Sequence, residues 1–121
     1  MRAEEFYLKD ILVACDASTQ FAREIDWEMF QHSRLYQSAI QYNLMIIGEA
    51  ASKISRGLRS RHPEVDWQTI KDFRKILAHE YFALDLEIIW DSAATRTLLL
   101  SEHIRDILRD EYPDFPLPQH L

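Results

Sequence analysis

An all-α fold follows from three features of the sequence. Only two glycines and four prolines occur in 121 residues, and Pro113, Pro116 and Pro118 all fall in the last nine. Apolar residues recur at three- and four-residue spacing along most of the chain, and Asp stands ahead of several apolar runs where helix caps are needed. The length suits one domain with a continuous core, and 47% hydrophobic with 28% charged residues is the balance of a folded protein. The expected architecture is an up-and-down four-helix bundle with one additional short helical segment, spanning residues 1–112, followed by a proline-rich tail at 113–121.

The first helix is predicted from about Arg2 to Ala22, with Phe6, Leu8, Leu12, Cys15 and Ala22 on one stripe and Glu5, Lys9 and Asp16 outside it. The segment REIDWEMFQHSR interrupts the pattern, and Asp26 can cap a short turn carrying Trp27 and Phe30. A second long helix is predicted from about Ser33 to Leu58 on Leu35, Ala39, Tyr42, Ile46, Ala50 and Ile54, ending near Gly57 ahead of the His62-Pro63 turn. Asp66 is positioned to cap the third helix, carried on by Trp67, Ile70, Phe73 and Leu77. The last helix, capped by Asp85, runs to about Glu111, with Leu86, Ile89, Trp90, Ala93, Thr97, Leu100, Ile104 and Leu108 inward and Tyr112-Pro113 as its stop.

Cys15 is the only cysteine, which excludes an internal disulfide and a multi-cysteine zinc site. The charged start MRAEEFYLKD has no secretory pattern, and no apolar run approaches the roughly 20 residues of a membrane span, so a cytoplasmic location is expected. No H-E-x-x-H zinc motif, no Glu-x-x-His pair of a di-iron bundle and no glycine-rich phosphate loop occurs, so no cofactor or metal is expected. Glu102, Arg105, Asp106 and Arg109 have the spacing of solvated charge pairs.

Chemistry is concentrated in WQTIKDFRKILAHEYFALD, residues 67–85, which carries Arg74, His79 and Tyr81 in the frame R-x-x-x-x-H-x-Y. On a straight helix Arg74 and Tyr81 point within about 20° of each other, whereas His79 points about 140° from Arg74. To meet at one atom they need either an unwound helix near His79 or a contact across a symmetric dimer, whose interface core Trp67, Tyr81 and Phe82 would suit. A histidine can move a proton at neutral pH, and the planar arginine fork matches the oxygens of a phosphate. An Arg and His pair facing its symmetry mate is a sufficient set for cutting RNA through attack of its own 2′-hydroxyl. Spacing alone favours ordinary roles: a partly buried histidine, a surface ion-pair arginine and a packing tyrosine.

This frame, preceded by DWQTI and followed by FALDLEIIW, resembles the signature of HepT-like toxins, small helical ribonucleases of the HEPN superfamily. YLKDILVA at 7–14 and LMIIGEAASKIS at 44–55 are similar to that family's first and second helices. The resemblance implies an HEPN-like, all-helical homodimer in which Arg74 and His79 from two subunits form a metal-independent endoribonuclease site. It also implies a partner, an MntA-like nucleotidyltransferase antitoxin that transfers AMP from ATP to the motif tyrosine, Tyr81. One departure is Lys75, where many family members carry Asn or Asp directly after the arginine.

A formal charge of −6 disfavours general nucleic-acid binding. Lys53, Arg56 and Arg59 nevertheless step by three towards Arg61 and His62, and with Arg74 and Lys75 could make a basic rim that holds RNA, with tRNA as a candidate. Cations also gather at a helix C-terminus because the macrodipole favours them there, and both explanations stay open. Glu49 could face the site and polarise His79, or be a surface or capping residue. Two functional classes remain at this point: a ribonuclease toxin, and a non-catalytic helical dimer that binds a nucleotide or a partner protein.

Overall fold

The structure, a computed structural model, describes residues 2–79 and 85–118, apart from the side chain of His79. The order is α1 (Glu4–Glu24), α2 (Trp27–His32), α3 (Arg34–Ala51), α4 (Arg56–Arg61), α5 (Trp67–His79), α6 (Leu86–Asp91), a π turn (Ser92–Arg96) and α7 (Thr97–Glu111). Among the described residues there is no strand, and no helix is long and apolar enough to cross a membrane. The described fold is all-α, as expected.

α1 occupies the middle of the packing, with α3 on one side and α7 on the other, and α5 lies against the far side of α3. Leu8, Ile11, Leu12 and Cys15 of α1 are wholly buried, and burial pushes the Cys15 thiol well above its ordinary range, which makes it a packing group rather than a nucleophile. α2 forms as expected: Asp26 accepts the Met29 N–H at 2.9 Å, and the buried Phe30 ring sits 5.2 Å from Trp90 and 6.2 Å from Trp27, fastening this short helix to α6. Asp66 accepts from the Thr69 N–H and hydroxyl, and Asp85 from the Glu87 N–H, so both expected caps are in place.

Four features depart from the sequence expectation. The second long helix does not run to Leu58: it stops at Ala51, and Ser55 caps a separate α4 by accepting the Leu58 N–H. The break has a distant cause, because Glu4 at the start of α1 accepts from both the Ser55 N–H and its hydroxyl. The inward face of α3 is also displaced. Leu35 and Tyr42 are 75% and 66% exposed, and Ile40, Leu44, Ile47 and Ala51 take the core instead. The last helix contains the π turn, where Ser92, Thr95 and Thr97 each turn a hydroxyl back onto a carbonyl four residues earlier.

The fourth departure is electrostatic. Asp16 and Arg105, both expected on the surface, are buried and paired at 2.9 Å, with Ser101 donating to the other Asp16 oxygen at 2.8 Å. Thr19 and Thr97 are hydrogen-bonded 3.0 Å apart in the same seam, giving α1 and α7 a polar contact inside an otherwise apolar interface. Arg105 also donates to the Pro118 carbonyl, and Phe115 meets Phe6 edge-on at 5.4 Å, so the tail up to Pro118 lies along α1 and α7.

Candidate functional site

Arg74 lies on the side of α5 that meets α3, and its seat is built from two consecutive residues, Gly48 and Glu49. A Cβ placed on Gly48 would lie 2.4 Å from the Arg74 Cβ and 3.0 Å from its Cγ, so the absence of a side chain is what lets α5 close on α3 at this level. One oxygen of Glu49 then accepts the Arg74 Nε–H at 2.8 Å and lies 2.7 Å from Nη2 in the same ion pair. Both side chains remain open to solvent, Arg74 at 37% and Glu49 at 55%. Glu49 is therefore engaged with Arg74. Gly48→Ala should force the helices apart or tilt α5, lowering stability by about 1–3 kcal/mol; chemical denaturation of this variant checks it.

The α-helix is continuous through His79, so unwinding ahead of that residue does not occur and backbone positions 74 and 79 stay about 140° apart. The His79 side chain and all of Tyr81 and Phe82 lie outside the described residues. Trp67, expected at a subunit interface, is instead 7% exposed inside the chain, and its indole N–H donates to the His62 carbonyl at 3.0 Å.

The basic rim is divided among elements. Lys53 lies in the turn after α3, Arg56 and Arg59 on α4, and Lys75 one step of about 100° beyond Arg74 on α5. Lys53, Arg56 and Lys75 are exposed, whereas Arg59 is half-buried. Because α4 is its own helix, Arg56 sits in its first turn, where the macrodipole does not favour a cation. Arg61 and His62 do not supply free positive charge: Arg61 grips both oxygens of Glu111 at 2.9 and 2.7 Å, and His62 lies between Glu111 at 2.5 Å and Glu64 at 3.1 Å.

That cluster is a clasp between the α4–α5 corner and the end of α7. Burial alone would pull the His62 pKa down, but the carboxylates of Glu111 and Glu64 overcome it and hold the imidazolium above its ordinary value. The Arg61 hydrogen bond, opposed by burial and helped by His62, draws Glu111 down to about 2. A histidine whose folded pKa is raised stabilises below its unfolded value and loses that contribution as pH rises through the folded one. Glu111 contributes above its unfolded value and loses it only as pH falls towards about 2. Thermal unfolding should thus show a drop in melting temperature as pH rises above the ordinary histidine value of about 6.5, flattened in His62→Gln. Among the described residues, His62, Asp110 and Glu111 also bring three potential metal ligands within 4.8 Å. Arg61 already occupies Glu111, so the group is better described as an ion-pair network.

A groove of about 310 Å³ opens between α3, α5 and the α6–α7 helix, lined by Leu44, Ile47, Ile70, Phe73, Leu99 and Leu100 with Arg96 and His103 at its edge. The bundle is therefore less closed on this side than an ideal four-helix arrangement.

Helices arranged in this way, with a solvent-accessible arginine held at the α3–α5 contact and a histidine five residues on, agree with the HEPN resemblance of the sequence. The family model for HepT-like ribonucleases matches residues 11–107, and the chain belongs to that family. A protein of Caldanaerobacter subterraneus subsp. tengcongensis named as a candidate RNase is 31% identical over 111 residues, 92% of this chain and 99% of its own length. A protein of Thermococcus cleftensis named as a probable ribonuclease HepT is 36% identical over 89 residues, covering 74% and 81%. A Methanocaldococcus jannaschii protein, also named as a candidate RNase, is 28% identical over 104 residues, covering 86% and 90%. No solved structure matches the chain. Family membership supports a ribonuclease function and an RNA substrate.

Proposed function

We propose that this protein is a metal-independent endoribonuclease toxin of a toxin–antitoxin pair, acting on RNA, with tRNA as a candidate substrate, at a site composed of Arg74 and His79 from two subunits. The observation that carries this reading is the Arg74 seat: an accessible guanidinium with fixed direction in a HepT-like ribonuclease chain. His79 takes the proton of a ribose 2′-hydroxyl or gives one to the leaving 5′-oxygen, and Arg74 balances charge on the phosphorus oxygens in transit. The 2′-oxygen bonds to phosphorus as the 5′-oxygen departs, leaving a 2′,3′-cyclic phosphate and a 5′-hydroxyl. Lys53, Arg56, Arg59 and Lys75 would guide the RNA backbone. Incubation of the purified protein with tRNA in excess EDTA tests this, with cyclic-phosphate ends expected. Intact RNA together with saturable nucleotide binding in the groove would favour the non-catalytic alternative.

Dimerisation is part of the proposal because an unbroken α5 keeps positions 74 and 79 apart. The exposed Leu35, Tyr42 and Met45 of α3 share a face with Glu49 at three-, four- and seven-residue steps, giving a second copy an apolar surface that runs up to the Arg74 seat. Sedimentation of wild type and of a Tyr42→Glu, Met45→Glu variant would decide it; a wild-type monomer at micromolar concentration contradicts the composite site.

Control is assigned to Tyr81. An MntA-like nucleotidyltransferase would join its phenol oxygen to the α-phosphorus of ATP, with pyrophosphate leaving and the phenol proton lost. The added phosphate would compete with RNA for Arg74 and the rim cations. Tyr81→Phe should cleave RNA but escape neutralisation, with co-expression and intact-mass spectrometry as the check. AMP on another residue would overturn this assignment.

A further inference from the structure

We propose that Glu49, on its Gly48 neighbour's platform, is a positioning residue that holds Arg74 in its working orientation; this rests on the ribonuclease reading. The seat restrains the arginine at both ends. Its Cβ and Cγ lie over Gly48, where a Cβ would meet them at 2.4 and 3.0 Å, while its Nε–H donates to a Glu49 oxygen at 2.8 Å that also pairs with Nη2 at 2.7 Å. A free arginine side chain visits many rotamers, and this one is confined before substrate arrives.

The donor inventory gives the seat its direction. A guanidinium has five N–H groups, and Glu49 accepts the Nε–H and pairs with Nη2 from that one side. The other donors lie on the Nη edge, and among the described residues no side chain or carbonyl accepts a hydrogen bond from them. That edge is the one that meets a phosphate with two parallel hydrogen bonds. Because both partners are substantially exposed, the pair adds little to folding stability, and an ordered geometry with so little structural return is better explained by what it does to the arginine. Arginine does not deprotonate at working pH, so Glu49 acts through orientation and not through proton transfer.

The carboxylate also places a negative charge beside the path of a polyanion, so its removal has two opposed effects that separate in kinetics. Glu49→Ala should release Arg74 and lower kcat by about 10- to 100-fold, while KM for RNA stays unchanged or falls because a repelling charge is gone. Glu49→Gln retains one acceptor oxygen and should recover part of the kcat loss. In an Arg74→Ala background, Glu49→Ala should add no further loss. Melting temperatures should stay within about 3 °C of wild type. The Arg74 Nε–H resonance, identified by its disappearance in Arg74→Lys, should exchange slowly in wild type and quickly in Glu49→Ala. A kcat for Glu49→Ala within about two-fold of wild type, or above it, overturns the role of Glu49, and so does an Nε–H that exchanges equally in both. Wild-type protein that leaves RNA intact in EDTA would instead overturn the ribonuclease reading itself.

Discussion

Arg74→Ala and His79→Ala are each expected to lower RNA cleavage by about 10²- to 10⁴-fold while leaving the far-ultraviolet spectrum of the helices unchanged. For Arg74 the reason is visible: its stem rests on Gly48 and its head on Glu49, and more than a third of the side chain is open to solvent, so truncation removes the fork proposed to meet the phosphate and little core. For His79 the expectation rests on chemistry, since no other residue in the motif titrates near neutrality. Single-turnover cleavage of a fluorescent RNA measures both. Retention of cleavage by the His79 variant would sink the acid–base assignment.

Asp16→Ala should produce the largest stability loss, about 3 kcal/mol, because it takes the carboxylate from a guanidinium that is about nine-tenths buried and from Ser101 at the same time. For a domain of this size that corresponds to a fall of about 10 °C in melting temperature. Arg105→Ala should cost a similar amount and also release the tail at Pro118. The paired replacement Asp16→Leu with Arg105→Met should recover most of the loss, since an apolar pair of similar volume removes both desolvation costs. Urea unfolding of the three variants tests this; additive losses in the double variant would show that the two residues act separately.

Much of the helical framework could be read from the chain because its signals are local. Asp26, Asp66 and Asp85 cap helices by bonding N–H groups two or three residues away, and the apolar stripe of the last helix keeps its register past the π turn. What escaped depends on distant partners or on small residues. The end of α3 at Ala51 reflects Glu4 reaching Ser55 across 51 residues, and no breaker marks it. Asp16 and Arg105 looked like surface charges because they are 89 residues apart and only the fold pairs them. The true inner face of α3 contains Gly48 and Ala51, whose weak hydrophobicity let Leu35 and Tyr42 dominate the apparent stripe.

The site divides in the same way. The candidacy of Arg74 and His79 rests on residue chemistry and on the resemblance of their frame to HepT-like toxins. Gly48 was not, although a lone glycine inside an otherwise helical run is a signal of close packing in its own right. Glu49 could be suspected but not directed, because nothing in its spacing shows that Arg74 lies across the helix pair.

The central claim is a site shared between two subunits, and complementation tests it most directly. Arg74→Ala and His79→Ala proteins, each inactive alone, should be co-refolded so that mixed dimers form, and RNA cleavage then measured in EDTA. Half of the dimers would be mixed and each would rebuild one site, so about a quarter of wild-type activity should return. A mixture that forms mixed dimers yet stays as inactive as its parents would contradict the shared site.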